Sequence, residues 1–316
     1  NSAPFEIDGD FDNVILAHEY GHGISNRLTG GPQQSNCLFN DEQMGEGWSD
    51  WIGLMMTIQP NDTPGLPRGI GTFAISQPTT GGGIRPARYT TDTSINPATY
   101  GLSNNPNISQ PHGVGFVWAT MLWDLTWELI DEYGFDPDIL NGNGGNNLAM
   151  QLIVDGMKLQ SCNPGFIDGR DAILQADMLA NNGANQCFIW KVFADRGLGF
   201  SASQGSAFDR NDQTEAFDLP PNITLPCENL AVQNFNENTL KLYPNPAQDF
   251  LNIESLAGTI GRANLKIFDM NGRLLINKAL DFNQAQRLNV SKLNTGVYLI
   301  KIENTSVNID KKLIIN

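Results

Sequence analysis

The chain is short of positive charge. Lys and Arg number 19 against 34 Asp and Glu, a formal net charge of −15. So few bases on so acidic a chain argue against gripping a phosphate backbone or an anionic lipid surface. No nucleic-acid partner is expected. No apolar stretch of about 18 residues occurs, so no transmembrane segment is expected. No CxxC pair occurs, which argues against a thiolate zinc site. Tandem repeats and low-complexity tracts are lacking too. The start, from Asn1, shows neither a basic region nor an apolar leader. It reads as a fragment edge or a processing site, and the compartment is not read from it. Charged residues are only 17 %, but 40 % are hydrophobic, which supports a packed core and excludes wholesale disorder. At 316 residues, two domains or one large domain with an appendage are expected.

The first two thirds read as helices. Helical apolar spacing covers 14–24 and 114–132, the latter with Val117, Met121, Leu125 and Leu129 on one face. A helix is expected from an N-cap at Asp41 through Trp51 to Ile58, although Gly45 and Gly47 disfavour it on propensity. Further helices are expected near 148–159, 168–180 and 187–196, the last closed by Gly197. Residues 61–107, rich in Pro, Gly, Thr and Asn, read as long loops, which are often functional. The pattern changes near Asp218, and 219–238 carries three prolines and little periodicity. From Leu240 the chain alternates at period two. Asn271-Gly272 between two strand-like runs signals a type I′ hairpin. A small antiparallel sandwich is expected there.

Four cysteines, Cys37, Cys162, Cys187 and Cys227, allow three pairings. Cys162 and Cys187 each border a predicted helix and are the preferred bridge. Buried free thiols are the equal alternative.

Only three histidines occur, and two fall in His18-Glu19-Tyr20-Gly21-His22. On a helix, residues i and i+4 share a face, so both imidazoles can reach one zinc ion. Glu19 sits beside the first, where its carboxylate can hold a water and take its proton. Two helix histidines satisfied within the fold are the plain alternative. The next predicted helix carries Glu46, which can complete a two-His-one-Glu set. Asp50, four residues on, is placed to accept the outer N–H of a liganding histidine. His112, at the start of the Trp-rich helix, can reach over a cleft and donate to an oxyanion.

Those residues also carry a resemblance. His18–Leu28 with Thr29-Gly30-Gly31, then Met44–Asp50, resemble the fungalysin family of zinc metallopeptidases, which are thermolysin-like gluzincins. The likeness runs on through Gly83-Ile84-Arg85, Tyr89–Asp92, Asn96-Pro97 and Tyr100. It continues in His112–Leu122, in Cys162-Asn-Pro with Gly169–Asp177, and in Ile189–Ala194 with Arg196–Gly199. It covers most of residues 5–205 and implies zinc ligands His18, His22 and Glu46. Glu19 is then the general base of a zinc-activated water, Asp50 the acid partner of a zinc histidine, and His112 the oxyanion donor. Arg85, for holding a substrate carbonyl, and Tyr100 are candidate substrate-binding residues. The implied substrates are internal peptide bonds of proteins.

Two departures accompany it. Thermolysin places a tyrosine between its second zinc histidine and liganding glutamate, and none lies between His22 and Glu46. Tyr89 or Tyr100 could replace it, His112 could act alone, and ordinary loop packing is the favoured reading of both tyrosines. The family's zinc helix also follows a β-rich lobe that forms the other cleft wall. Only residues 1–14 precede the expected helix here, so that wall is expected to be absent, as is the family's inhibitory propeptide.

Leu242-Tyr-Pro-Asn-Pro246 with Leu251-Asn-Ile253, Ile267–Arg273, Leu293–Leu299 and a Lys-rich last strand resemble the C-terminal sorting domain of type IX secretion substrates. This implies export by that machinery, then cleavage or attachment at the cell surface. The expected architecture is multidomain. A mainly α, thermolysin-like catalytic lobe spans 1–218, a linker 219–239 and a small all-β antiparallel sandwich 240–316. The expected function is a secreted zinc endopeptidase. The alternative is a catalytically incompetent secreted binding or adhesion protein with a vestigial zinc site, or a zinc hydrolase of non-peptide esters. Asp and Asn in 61–107 and 141–147 offer calcium ligands, as in many thermolysin-like enzymes. No D-x-[DN]-x-[DN]-G loop occurs, and a solvated acidic surface is the favoured account of the charge.

Overall fold

A computed structural model describes residues 8–227, 240–255, 260–269, 273–304 and 308–316. The chain divides into two compact units, Asn1–Glu228 and Asn229–Asn316.

The described part of the first unit carries six α-helices. They are α1 Asn13–Leu28, α2 Gly45–Thr57, α3 His112–Tyr133, α4 Gly145–Leu159, α5 Phe166–Asn181 and α6 Gln186–Asp195. The core is built on α3, which packs against α2, α4 and α6. Spacing predicts one apolar face for α3, yet it is buried without a break from Gly113 to Trp123. A helix enclosed on all sides is a core helix. The Trp118 ring lies 5.1 Å from Trp48, 5.2 Å from Phe166 and 5.8 Å from Phe193.

Close approach of helices explains Gly47, though not Gly45, where an added Cβ would meet only the Leu38 side chain at 3.7 Å. A Cβ at Gly47 would lie 2.4 Å from the Gly115 carbonyl oxygen of α3, and one at Gly21 would lie 2.8 Å from Ser49 Cα of α2. These bare positions let α1, α2 and α3 approach more closely than side chains would permit.

The expected cap at Asp41 is not formed, because α2 starts at Gly45 with Met44 before it. The Asp41 and Glu42 amides donate instead to the Ala207 carbonyl, at 3.0 and 3.2 Å. The cap of α1 is Asp12, whose Oδ1 accepts from the Val14 and Ile15 amides at 3.1 and 3.3 Å. Its Oδ2 accepts from Phe73 and Ala74 at 3.1 and 3.3 Å, fixing the long α2–α3 connection to the start of α1. That connection is irregular apart from a 3-10 turn at Tyr100–Asn104.

The cysteines pair as Cys37–Cys162 and Cys187–Cys227, with Cα atoms 4.6 and 5.6 Å apart. The expected Cys162–Cys187 bridge is therefore wrong. Bordering a helix is a local property, whereas pairing follows which loops meet. The loop after α4 lies on the loop after α1, where Asn163 donates to the Cys37 carbonyl at 2.9 Å.

The second unit holds strands β1 Leu240–Tyr243, β2 Phe250–Ser255, β3 Arg262–Asp269, β4 Leu274–Asp281, β5 Gln286–Asn289, β6 Gly296–Glu303 and β7 Asn308–Ile315. They form two sheets, ordered β1-β2-β5 and β4-β3-β6-β7, with every pair antiparallel. Period-two burial sets the inward rows: Leu265 and Ile267 on β3, Ile300 and Ile302 on β6. These join Leu251, Ile253 and Leu288 of the other sheet in one core. The Asn271-Gly272 turn lies outside the described residues. The strands flanking it pair with a register shift between Ile267 and Phe268.

Candidate metal centre

His18 and His22 stand one turn apart on α1, with ring centroids 4.7 Å apart. Beside them α2 presents Glu46 from its first turn. His18 Nε2 lies 3.2 Å from Glu46 Oε2, and His22 Nε2 lies 3.6 Å from Oε1. One ligand atom from each of the three side chains falls within 4.8 Å of the other two. His18 is buried, His22 and Glu46 partly so. The far nitrogen, His18 Nδ1, lies 2.7 Å from Asp50 Oδ1. That contact favours the tautomer with hydrogen on Nδ1, which leaves Nε2 as a lone-pair donor toward the cluster. Two imidazole nitrogens and a carboxylate facing one volume are the donor set of a zinc site. These residues fit such an ion.

Asp50 is fully buried and strongly tied. Arg85 donates to it from Nε at 2.6 Å and from Nη2 at 2.8 Å, and Nη2 also reaches Glu46 Oε2 at 3.3 Å. The Tyr89 hydroxyl donates to Asp50 Oδ2 at 2.6 Å. Burial opposes the Asp50 charge, but the hydrogen bonds from Arg85 and His18 outweigh it and lower its pKa. Without a metal, burial likewise opposes the His18 cation, yet Asp50 and Glu46 raise its pKa to about 9. Burial and the neighbouring His18 charge lower that of His22.

His112, the first residue of α3, brings Nε2 to 3.5 Å from Glu46 Oε1 with 54 % of its side chain exposed. Glu19 is exposed on α1 and makes no hydrogen bond or ion pair among the described residues. The structure thus brings His18, His22, Glu46, Asp50, Arg85 and His112 together.

Neither tyrosine considered for the oxyanion is presented to solvent. Tyr89 is fully buried on Asp50. Tyr100 is equally buried, donates to Glu42 Oε1 at 3.0 Å and stacks on Phe166 at 5.1 Å. The buried Tyr100 hydroxyl is engaged by Glu42 and takes no part in the metal cluster. The tie between Tyr89 and Asp50 was not legible, because both the loop residue and its partner look ordinary until the α2–α3 connection folds back.

No other group of three metal-ligating side chains gathers among the described residues. In the Asp- and Asn-rich α3–α4 loop, Asp136 accepts from the Asp138 and Asn143 amides, and Asp138 from those of Leu140 and Asn141. Those oxygens serve the turns, so the calcium expectation finds no gathered site there.

Two helices that converge on a His, His and Glu cluster define a candidate metal centre of the metallopeptidase kind. Residues 1–202 match the family model described as Fungalysin metallopeptidase (M36), and the chain belongs to that family. Residues 241–316 match the model described as Secretion system C-terminal sorting domain. Extracellular metalloproteinase 3 of Arthroderma otae is 44 % identical over 222 residues, covering 68 % of this chain and 34 % of the relative. Extracellular metalloproteinase MEP of Neosartorya fischeri is 46 % identical over 222 residues, with the same shares. Probable extracellular metalloproteinase 4 of Arthroderma benhamiae is 42 % identical over 230 residues, covering 70 % of this chain and 34 % of the relative. The chain spans about a third of the length of these curated relatives. No described helix is long and apolar enough to cross a membrane.

Proposed function

We propose that this chain is the helical, metal-carrying part of a secreted zinc endopeptidase, joined to its own export domain. The observation that carries this reading is the convergence of His18, His22 and Glu46 ligand atoms within 4.8 Å. His18, His22 and Glu46 hold the ion. A zinc ion there supplies Lewis acidity toward a peptide carbonyl and makes water acidic enough to react near neutral pH.

The protein's own groups do the rest. Glu19, open to solvent one residue from His18, takes the water proton and passes it to the leaving amine. His112 donates from Nε2 to the oxyanion as charge develops on the carbonyl oxygen. Asp50 keeps His18 in its ligating tautomer. Arg85 has Nε and Nη2 engaged by carboxylates, and Nη1 makes no hydrogen bond among the described residues. That nitrogen is the donor left for a substrate carbonyl.

The lobe is thermolysin-like and spans 1–218, with a linker over 219–239. Residues 240–316 address the protein to the type IX machinery, for release or attachment outside the cell. In the full-length protein a β-rich lobe completes the cleft and a propeptide restrains it. The test is Glu19→Gln in the active full-length enzyme. Peptide hydrolysis should fall by a hundredfold or more, with one zinc per chain retained. Undiminished hydrolysis in that variant would remove Glu19 from the mechanism.

A further inference from the structure

Asp50 has no exposed surface, so its carboxylate must be satisfied by protein donors. Oδ1 faces His18 Nδ1 at 2.7 Å and Arg85 Nη2 at 2.8 Å. Oδ2 faces Arg85 Nε and the Tyr89 hydroxyl, each at 2.6 Å. The two Oδ2 donors are held differently. Arg85 divides its donors between Asp50 and Glu46, which lies 3.3 Å from Nη2. Tyr89 gives its hydroxyl to Asp50 and is itself pinned. Its ring lies 5.2 Å from Phe116 of α3. Its backbone exchanges two hydrogen bonds with Arg68, at 2.8 and 2.9 Å. Arg68 in turn grips Thr57 Oγ1 at the end of α2 at 2.8 Å, and Asp62 at 3.0 Å.

A rigid path therefore runs from the C-terminal end of α2 through Arg68 and Tyr89 back to Asp50 in the same helix, and from Asp50 to His18 in α1. We propose that Tyr89 is a positioning residue of the metal centre: its hydroxyl holds the Asp50 carboxylate in the orientation that takes the His18 Nδ1 hydrogen and so presents Nε2 as a ligand. The inference rests on the zinc reading given above. The competing account is that the Arg85 fork alone orients Asp50, with Tyr89 merely filling space.

Tyr89→Phe removes the hydroxyl and keeps the ring. Zinc affinity is measured by competition with a chromophoric chelator in the wild type, Tyr89→Phe, Asp50→Asn and the double variant. Loss of the hydroxyl should weaken zinc about tenfold. Added to Asp50→Asn it should do nothing further, since it acts through Asp50. The chain has three histidines, so nitrogen NMR of the metal-free protein, taken above the His18 pKa of about 9 where the ring is neutral, resolves their rings and reports the His18 tautomer directly. Tyr89→Phe should reduce its Nδ1–H population, and 4-aminophenylalanine at position 89, which restores a donor, should bring it back. Zinc affinity within twofold of wild type, with the His18 signals unmoved, would overturn the proposal. So would a further tenfold loss in the Asp50→Asn background. A wild type that binds no zinc would sink the zinc reading instead, while the metal-free tautomer comparison still decides the role of Tyr89.

Discussion

Gly21 offers a way to disturb the centre without touching a ligand. It lies between the two histidines of α1, and an added Cβ would come within 2.8 Å of Ser49 Cα and 3.1 Å of Ser49 Cβ and Oγ. Carbon atoms in contact rest about 3.5–4.0 Å apart. The neighbour is backbone and cannot swing away, so Gly21→Ala must part α1 from α2 by about 0.7–1.2 Å. Glu46 sits three residues before Ser49, so the displacement falls across the His–Glu cluster. Metal sites tolerate about 0.2 Å in ligand distance. The variant should lose about 1–3 kcal/mol of stability through overpacking. Its zinc affinity should fall about tenfold or more. Gly23→Ala is the control. Its Cβ would meet only Arg27 Nη1, at 3.6 Å. Better helix propensity should then raise stability by up to about 1 kcal/mol with zinc affinity unchanged. Thermal melts and chelator competition on both variants suffice. Equal behaviour of the two, or wild-type zinc affinity in Gly21→Ala, would refute the close-approach argument.

Two further expectations concern stability. Burial raises the Glu42 carboxyl to about 7, against the opposing pull of the Tyr100 and Phe166 hydrogen bonds. Because that folded value lies above the ordinary one, its stabilising contribution is full below about pH 4.5 and lost as pH rises through about 7, some 3 kcal/mol in all. Glu42→Gln should flatten that slope in denaturant melts across about pH 5–8, and an unchanged slope would contradict it. Replacing Cys37 and Cys162 by Ser opens a bridge of sequence separation 125 and should cost about 2–5 kcal/mol, read as a lower urea midpoint for the first unit. No loss would mean that the bridge constrains little.

What the sequence discloses is whatever repeats at short range. Every expected helix exists within a few residues of its expected limits, because apolar spacing and Gly197 are local signals. The strands around Leu265, Val297 and Lys312 appear for the same reason, whereas β5 has Leu288 as its one buried residue and so shows no alternation. The metal cluster was legible in part. The spacing of His18 and His22 is fixed by helix geometry, and Glu46 and Asp50 share a helix face. What was not legible depends on contacts across the chain. Asp41 looks like a cap until Ala207 takes its amide. The cysteine pairs follow from loops that meet across 125 and 40 residues. Tyr89 reaches Asp50, 39 residues away, only because the irregular α2–α3 connection is anchored by Asp12 and Arg68.

The central claim is that α1 and α2 build a zinc site from His18, His22 and Glu46. Its most direct test is zinc per chain by elemental mass spectrometry, on the wild type and on Glu46→Ala. The account expects one zinc in the wild type and markedly weaker retention in the variant. A folded wild type without zinc, or a variant that holds it equally well, would contradict the account.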